Sequence, residues 1–295
     1  MSGLVTLSTP LLIDPAELKA KEAKLLDLLR GMGRVLVAYS GGTDSAYLAW
    51  AAKQALGENA IAITADSPSI PESHKADAAA LAIEFGIRHE VIPTFEFDNP
   101  DYAANNADRC FHCKDELFKR LEEEAPRFGG AAIVYGVNVD DLGDYRPGQK
   151  AAKIHEVKAP LVEVGLTKAE IRELSRLAGL PTWDRPAAAC LSSRIPYGTE
   201  VTPERIKTIE TAEERVKALG FRQFRVRYHG ELARVEIERS EMARALDLDM
   251  CDRLVALFKD LGFAYVTLDL KGYRQGAMNE VLARPAAGAA DRDGI

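Results

Sequence analysis

Short apolar runs alternate with amphipathic stretches over the first half of the chain. The continuous runs predict buried parallel strands; they lie at residues 34–39, 60–65, 88–93 and 131–136. Apolar positions at helical spacing predict helices between and around them; these cover residues 18–32, 45–56, 73–85 and 113–124. Strand and helix in alternation are typical of an α/β domain with a doubly wound parallel sheet. Such sheets bind ligands beyond the carboxyl ends of their strands.

The last third of the chain follows a different pattern. Residues 224–229 and 233–238 alternate between apolar and polar, which predicts half-buried strands. A further strand is predicted at 264–270, and a helix that begins with Thr202 and Pro203 precedes all three. We therefore expect a small α+β domain after the α/β domain.

Two features mark the passage between these regions. Thr167 and Glu170 have the spacing of a capping box, which predicts the start of a helix. A loop without periodicity follows at residues 182–201, and loops of that length in compact domains are usually functional or disordered. The expected organisation is summarised by three ranges: an α/β domain at 15–195, an α+β domain at 196–284 and a flexible tail at 285–295.

Composition narrows the class of protein. The 295 residues are 47% hydrophobic and 28% charged, which is ordinary for a folded protein and excludes global disorder. No apolar run approaches the roughly 20 residues of a membrane helix, and the first residues lack a secretory signal, so a cytoplasmic protein without a membrane partner is expected. The net charge of −7 disfavours nucleic acid as a partner, because phosphates require neutralising cations.

The first strand leads into a phosphate-binding candidate. Ser40, Gly41, Gly42, Thr43, Asp44 and Ser45 join this strand directly to a helix. The two glycines permit a close backbone approach and positive φ, and the helix start offers N–H groups to an anion. A tight turn with an N-cap is the structural alternative. No Walker lysine is present, so an ordinary P-loop nucleotidase is not indicated.

The cysteines suggest metal or redox chemistry. Cys110 and Cys113 form a Cys-x-x-Cys motif just before a predicted helix, whose N-terminus is expected to favour thiolates. With Cys190 they suit an iron–sulfur cluster that has one open iron, whereas zinc would need a fourth ligand such as His112. Alternatively, Cys190 is unrelated to the motif. Cys251 lies in an amphipathic helix and is interpreted as a packing residue.

The strand at 224–229 carries two further candidates. Arg225 and Arg227 lie on the same face, because side chains alternate along a strand, while Phe224 and Val226 face the core. Two guanidinium groups suit a ligand that has carboxylates and a phosphate. The alternative is a solvated face with cross-strand pairs to Glu236 or Glu238.

The Ser-Gly-Gly-x-Asp-Ser motif after a strand resembles the PP-loop of the N-type ATP pyrophosphatases. These enzymes cleave ATP to AMP and pyrophosphate and adenylate an oxygen atom. The resemblance implies that Ser40, Gly41, Gly42, Asp44 and Ser45 hold the pyrophosphate portion, with Mg²⁺ near Asp44. It also places Asp66 and Gly136, which follow two other strands, near the nucleotide. Asp140 and Asp141 are either part of the same site or a turn-forming pair.

Several motifs together resemble the LarE family over residues 15–280. They are the PP-loop, the segment around Cys110 and Cys113, residues 165–172, the Ala-Cys-Leu-Ser-Ser-Arg segment at 189–194 and the strand at 224–229. LarE proteins are ATP-dependent sulfurtransferases that build the nickel-pincer nucleotide cofactor of lactate racemase from pyridinium-3,5-biscarboxylic acid mononucleotide. The resemblance also implies a homo-oligomer, which can be a hexamer.

The resemblance assigns roles to particular residues. Cys190 is the expected catalytic residue of sulfur transfer, and Ser193, Arg194, Arg225 and Arg227 are the expected substrate-binding residues. Two sulfur sources are implied: Cys190 itself, sacrificed to leave dehydroalanine, or a [4Fe–4S] cluster held by Cys110, Cys113 and Cys190. The sacrificial route needs only Cys190, so the other two cysteines favour the cluster route.

Three other functions fit parts of the same pattern. A tRNA thiolation enzyme also combines a PP-loop with several cysteines, but the acidic chain and the absence of a basic cluster disfavour it. An ammonia-dependent amidating synthetase would not need three cysteines. A module that only binds ATP would release no pyrophosphate.

Overall fold

The structure is a computed structural model that describes residues 13–143, 147–186 and 189–274; the tail expected at 285–295 lies outside these ranges. The helices are α1 Pro15–Met32, α2 Thr43–Leu56, α3 Glu72–Glu84, α4 Pro100–Ala103, α5 Arg109–Glu124, α6 Gly148–Ile154, α7 Pro160–Glu163, α8 Lys168–Leu177, α9 Pro203–Ala218, α10 Met242–Ala245 and α11 Leu248–Asp260. The strands are β1 Val35–Ala38, β2 Ala60–Asp66, β3 Arg88–Pro93, β4 Ala132–Tyr135, β5 Phe224–His229, β6 Leu232–Ile237 and β7 Tyr265–Leu268. No helix in the described ranges is long and apolar enough to cross a membrane.

A parallel four-stranded sheet forms the centre of the first half, in the order β3-β2-β1-β4. Side chains of β1 alternate between its faces. Val35 and Val37 pack with α1, α2 and α8, whereas Leu36 and Ala38 pack with α5 and α6. Helices therefore cover both faces, which confirms the doubly wound sheet. The carboxyl ends of β1 and β4 open onto the same edge, where the PP-loop lies.

A smaller sheet follows in the last third of the chain. β5 pairs antiparallel with β6, and β6 pairs parallel with β7. Phe224 and Val226 of β5 face its apolar core as expected, together with Phe258 of α11. The α+β composition expected from the alternating pattern is therefore present.

An apolar cluster connects helix α4 of the first half with helix α9 and the long loop that precedes it. Tyr102 of α4, Leu191 and Ile195 of the long loop, and Ile206 and Ile209 of α9 are all buried together. This packing fixes the loop that carries Cys190 between α4 and α9.

The structure differs from the sequence expectation at the Cys-x-x-Cys motif. Helix α5 begins at Arg109, so Cys110 and Cys113 lie in its first turns rather than before it. Asp108 is of a residue type that often caps helices, but its side chain makes no cap hydrogen bond here.

Candidate functional site: the PP-loop and the Cys190 loop

The PP-loop is held by its own hydroxyl groups. The backbone N–H of Ser40 donates to Ser45 Oγ at 3.2 Å, and the two serine Oγ atoms are 3.0 Å apart. Ser45 Oγ donates in turn to the carbonyl of Gly42 at 3.2 Å. Gly42 caps α2 without a side chain, so the first N–H groups of this helix have no side-chain partner. Such groups form an anion site at a helix N-terminus.

Glycine is required at two positions around the loop. Gly41 has φ of 70°, and a Cβ there would lie 2.7 Å from the Cβ of Ala78. A Cβ on Gly136 would lie 2.7 Å from the backbone nitrogen of Ser45. Gly42, in contrast, has an extended backbone with φ of −77°, so the expectation of positive φ holds for Gly41 alone. Gly136 thus lets the end of β4 approach the PP-loop.

Asp44 is bound by a lysine from a distant part of the chain. Lys168 Nζ lies 2.7 Å from Asp44 Oδ2, and Asp44 Oδ1 is buried without a hydrogen-bond partner. Burial raises the pKa of the Asp44 carboxyl and outweighs the opposite effect of Lys168. An unpartnered carboxylate oxygen is the kind of ligand that Mg²⁺ takes, so Asp44 fits the implied magnesium.

The other acidic candidates bind protein groups. Asp66, at the end of β2, is exposed and forms an ion pair with Lys75 at 2.6 Å. Asp140 accepts a hydrogen bond from the backbone N–H of Lys168 at 2.7 Å, and Asp141 accepts one from that of Asn138 at 3.1 Å. Asp140 and Asp141 therefore shape the turn after β4.

The Cys190 loop is fastened by residues that precede the Cys-x-x-Cys motif. Arg109 Nη1 donates to the carbonyl of Ser192 at 2.9 Å, and Tyr102 Oη lies 2.8 Å from Ser192 Oγ. Asn105, which is fully buried, donates to the carbonyls of Pro196 and Thr199, both at 2.8 Å. These contacts bring Cys190 to the start of α5.

The three thiols influence each other electrostatically. The pKa values of Cys110 and Cys113 are raised, above all because protein atoms remove the thiols from water, and the charge of Cys190 adds to both effects. Arg109 opposes the shift at Cys110. Both pKa shifts therefore run opposite to the expected preference for thiolates at the helix start.

The described residues do not form a single-ion site. Among them, no group of three or more His, Cys, Asp or Glu side chains is close enough to hold a metal ion. Zinc held by the three cysteines and His112 therefore does not fit. The cysteines do share one environment, since the charge on Cys190 acts on both of the others.

The Arg194 side chain binds the backbone of its own loop and a glutamate of α9. Its Nη1 donates to the carbonyls of Ala189 and Cys190 at 2.7 and 2.8 Å, and its Nε and Nη2 bind the two carboxylate oxygens of Glu213 at 3.0 and 2.9 Å. Ser193 Oγ also donates to the Cys190 carbonyl, at 2.7 Å. Both side chains thus hold the Cys190 backbone.

The two arginines of β5 differ in burial and in their partners. Arg227 is buried, forms an ion pair with the fully buried Glu236 at 2.7 Å and donates to the Ser193 carbonyl at 2.9 Å. Arg225 is partly exposed and stacks on Tyr273, with 5.1 Å from guanidinium carbon to ring centre. A cross-strand pair with Glu236 on a solvated face was the alternative considered from the sequence. The pair is present, but it is buried rather than solvated.

Arginines that bind the PP-loop and the Cys190 loop act on the same histidine. Arg185 donates to the carbonyl of Gly41 at 3.3 Å on the PP-loop side. The pKa of His74 is lowered by burial and then by the charges of Arg194, Arg185 and Arg225. The charges of all three arginines therefore act on His74, while Arg185 also pairs with Asp77 at 3.1 Å and Arg194 with Glu213 at 2.9 Å.

Sequence reasoning missed the residues that assemble this site. They are Asn105, Arg109, Lys168, Arg185 and Glu213. Arg185 lies in the aperiodic loop that was expected to be functional, so its position was the available signal. Arg109 and Lys168 lie inside the LarE-like segments, but the partners of these four residues are distant in the sequence, and no local pattern indicates the contacts.

Comparisons with known proteins agree with this geometry. Residues 27–119 match the NAD synthase family. The chain is 45% identical to an uncharacterised protein of Synechocystis, over 89% of this chain and 99% of the relative. It is 35% identical to the pyridinium-3,5-bisthiocarboxylic acid mononucleotide synthase of Lactiplantibacillus plantarum, over 91% of this chain and 97% of the relative. An uncharacterised protein of Methanocaldococcus jannaschii is 27% identical over 82% of this chain and 91% of its own length.

The doubly wound sheet and the loop at its edge define a protein of the PP-loop class. Within that class, the chain belongs to the LarE family, since its likeness to the L. plantarum synthase spans nearly the full length of both proteins.

Proposed function

We propose that this protein is an ATP-dependent sulfurtransferase. It adenylates a carboxylate of pyridinium-3,5-biscarboxylic acid mononucleotide and replaces oxygen with sulfur, which supplies the nickel-pincer cofactor of lactate racemase. The observation that carries the proposal is the junction of a phosphate loop with a thiol-bearing loop: Arg185 binds the first, Arg194 binds the second, and both act on His74. The 35% identity to a synthase of the bisthiocarboxylic product supports the choice of substrate.

The PP-loop carries the first step. A carboxylate oxygen of the substrate attacks the α-phosphorus of ATP, and pyrophosphate leaves. The N–H groups at the start of α2 bind the departing phosphates, and Ser40 and Ser45 orient the loop. Asp44 would hold Mg²⁺, which neutralises phosphate charge when bound. The step turns a poor leaving group into AMP.

Cys190 carries the second step. Its thiolate attacks the activated carbonyl carbon, and AMP leaves to give a thioester. In the sacrificial route a base removes the α-proton of Cys190 and the Cβ–S bond breaks, so the substrate keeps the sulfur and the protein keeps dehydroalanine. Ser193 and Arg194 position the Cys190 backbone. Arg225 provides positive charge for the substrate's phosphate and carboxylates, and Arg227, paired with Glu236, binds the Ser193 carbonyl beside it.

The cluster route is supported by the shared environment of Cys110, Cys113 and Cys190. These three residues would hold a [4Fe–4S] cluster, which is larger than a single ion and keeps its thiolates further apart. The cluster would supply a sulfide, and Cys190 would then remain intact.

The remaining proposals concern organisation and location. We assign residues 15–195 to the PP-loop domain and 196–284 to a substrate domain, because separate apolar cores accompany the two sheets. A cytoplasmic homo-oligomer, hexameric in the LarE family, is proposed on the resemblance.

The test is the intact mass of the protein before and after turnover with ATP, Mg²⁺ and the biscarboxylate nucleotide. Protein purified without oxygen, with its iron content measured, is used. Loss of one H₂S mapped to Cys190 would support the sacrificial route, and thiolated product with unchanged mass from iron-loaded protein would support the cluster route.

Cys190→Ala and Cys251→Ala form a matched pair for the same assay. We expect Cys190→Ala to retain pyrophosphate release and to make no thiolated product, while Cys251→Ala behaves as the unchanged protein. The NAD synthase match favours one alternative, an ammonia-dependent amidating synthetase. Amide formation that persists in Cys190→Ala would establish this alternative. Absence of thiolated product from every preparation would refute the substrate assignment.

A further inference from the structure

A buried polar cluster lies next to the Cys190 loop, and the proposed mechanism does not use it. Ser67 and Ser69 come after strand β2, Glu96 comes after strand β3, and each of the three is only 2% exposed. The two serine Oγ atoms are 2.8 Å apart, and both hydroxyls donate to Oε1 of Glu96, that of Ser69 at 3.5 Å. Oε2 of Glu96 is buried and has no hydrogen-bond partner among the described residues. Within this part of the chain, the hydrogen bonds of the carboxylate therefore all lead to the two serines.

Glu96 holds the turn after β2 through Ser67. The Ser67 hydroxyl donates to Glu96, and the same oxygen accepts the backbone N–H of Ser69 at 3.0 Å. Bonds from a serine side chain to the backbone two residues on shape short turns. Because one hydroxyl oxygen makes both bonds, a change at Glu96 is transmitted to the backbone of Ser69.

The backbone of Ser69 in turn binds the chain at Cys190. Its carbonyl accepts the N–H of Leu191 at 2.8 Å, and Leu191 is buried. The other polar atom of the same peptide group is the Cys190 carbonyl oxygen, which accepts from Ser193 Oγ at 2.7 Å and from Arg194 Nη1 at 2.8 Å. Both polar atoms of the peptide group that follows Cys190 are thus bound. This fixes one side of the Cys190 backbone and restricts the direction in which its side chain leaves the chain.

The Cys190 loop is attached to the sheet edge that also carries the PP-loop. Strand β2 pairs in parallel with β1, whose end leads into the PP-loop, and with β3 on its other side. The turn after β2 therefore lies beside the loop that is expected to hold the nucleotide. A thiol attached to this edge keeps a set distance from an acyl-adenylate bound there. Such a distance matters, because a misplacement of about 1 Å can cost about 100-fold in rate.

We propose that Glu96 is a positioning residue for Cys190: by way of Ser67, Ser69 and the N–H of Leu191, it holds this cysteine in place for sulfur transfer. The proposal rests on the proposed function in taking Cys190 as the residue of sulfur transfer. A group that acts only through Cys190 affects the second step and leaves adenylation unchanged. A residue that only stabilises the fold differs in this respect, since its loss lowers both steps together.

The ratio of pyrophosphate released to thiolated product formed separates the two steps. It is measured on the full chain with Mg-ATP and the biscarboxylate nucleotide. In Glu96→Ala, adenylate that meets a misplaced thiol is hydrolysed by water, so the ratio should rise about 10-fold or more while KM for ATP stays the same. Only folded, active molecules contribute to either product, so a smaller folded fraction does not change the ratio.

Three further variants provide the controls. Ser67→Ala breaks the link without removing the carboxylate and should also raise the ratio, so it carries the test if Glu96→Ala does not fold. Glu96→Gln keeps an acceptor oxygen for the serines and should restore most of the coupling between the two steps. Glu116→Ala removes a different carboxylate, which accepts the backbone N–H of Phe95 at 3.1 Å, and should leave the ratio unchanged.

Hydrogen–deuterium exchange tests the link without any substrate. The Leu191 amide should exchange about 10-fold faster or more in Glu96→Ala and in Ser67→Ala, and at the unchanged rate in Glu116→Ala. An unchanged exchange rate of Leu191, an unchanged ratio, or the same rise in Glu116→Ala would overturn the inference. If exchange becomes faster as expected but every preparation, the unchanged protein included, makes no thiolated product, the proposed function is refuted, while the link from Glu96 to the Cys190 backbone stands.

Discussion

Arg194 and Glu213 form a two-pronged ion pair that ties the Cys190 loop to helix α9. The two nitrogen–oxygen distances are 3.0 and 2.9 Å, and Glu213 also accepts the backbone N–H of Val226 in β5 at 3.0 Å. One carboxylate thus links the loop, the helix and the small sheet. Burial alone would raise the pKa of Glu213, but the charge and hydrogen bonds of Arg194 outweigh it and lower the pKa.

Glu213→Gln should therefore destabilise the protein at neutral pH. Loss of one partner from a buried pair costs about 3–5 kcal/mol in the free energy of unfolding. Since the folded pKa lies below the unfolded value, the contribution is complete above about pH 4.5 and is lost as the pH falls through the folded pKa. Urea unfolding at pH 7 and at pH 4 should show a difference from the unchanged protein that shrinks at the lower pH.

The matched control is Glu173→Gln, which removes a pair to Arg176 whose side chains are 31% and 49% exposed. An exposed pair contributes at most about 1 kcal/mol, so little change is expected. Equal losses of unfolding free energy in both variants would show that the Arg194–Glu213 pair contributes no more to stability than an exposed pair.

Gly136→Ala should impair the PP-loop. The new methyl group would lie 2.7 Å from the Ser45 nitrogen, so the start of α2 must move. We expect a loss of about 1–3 kcal/mol in the free energy of unfolding and at least about 10-fold weaker ATP binding. Chemical unfolding and calorimetric titration with Mg-ATP measure the two effects.

Gly31→Ala serves as the comparison, because a Cβ there meets nothing within 4 Å and the position is in helix α1. It should leave ATP affinity unchanged and stabilise the helix by up to about 1 kcal/mol. Normal ATP affinity in Gly136→Ala would contradict the requirement for close approach.

Arg225→Met and Arg227→Met should separate substrate binding from stability. Removal of Arg227 leaves Glu236 in the interior with Arg234 as its remaining ion-pair partner, at 3.3 Å, so unfolding should become easier by about 3 kcal/mol. Within the described part of the chain, Arg225 forms no ion pair with a buried carboxylate, so its loss should change the free energy of unfolding by less than about 1 kcal/mol. We expect Arg225→Met instead to raise KM for the nucleotide substrate about 10-fold with a smaller effect on kcat. An unchanged KM would remove Arg225 from the substrate site.

His155 should give a pH-dependent contribution to stability. Its two ring nitrogens each lie 3.0 Å from a carboxylate, Asp115 and Glu122 of α5. Burial would lower the pKa of His155, but these carboxylates outweigh it and raise the pKa. The contribution is therefore complete below the unfolded value of about 6.5 and is lost as the pH rises through the folded pKa.

The measurement compares the unchanged protein with His155→Gln in urea at pH 5.5 and at pH 9. The difference in unfolding free energy should be about 1 kcal/mol at the lower pH, smaller at the higher pH, and reduced by salt. A difference that grows with pH would contradict the assignment of His155 as the cation of this cluster.

The amino-acid sequence by itself determined the features that depend on near neighbours. The runs at 34–39 and 131–136 contain strands β1 and β4, and Thr167 with Glu170 starts α8 as the capping box predicted. The PP-loop lies where a strand runs into a helix. Periodicity, caps and tight turns are set by residues within a few positions of each other, so the sequence shows them directly.

The tertiary structure alone decided which side chains meet. Lys168 reaches Asp44 across 124 positions, Arg109 reaches the Ser192 carbonyl across 83, and Arg227 is buried against Glu236 rather than free on a solvated face. The pKa shifts of the Cys110 and Cys113 thiols run opposite to the sequence expectation for the same reason. A helix start is a local feature that favours thiolate, but the removal of a group from water depends on every segment packed around it, and that packing is settled only when the chain has folded.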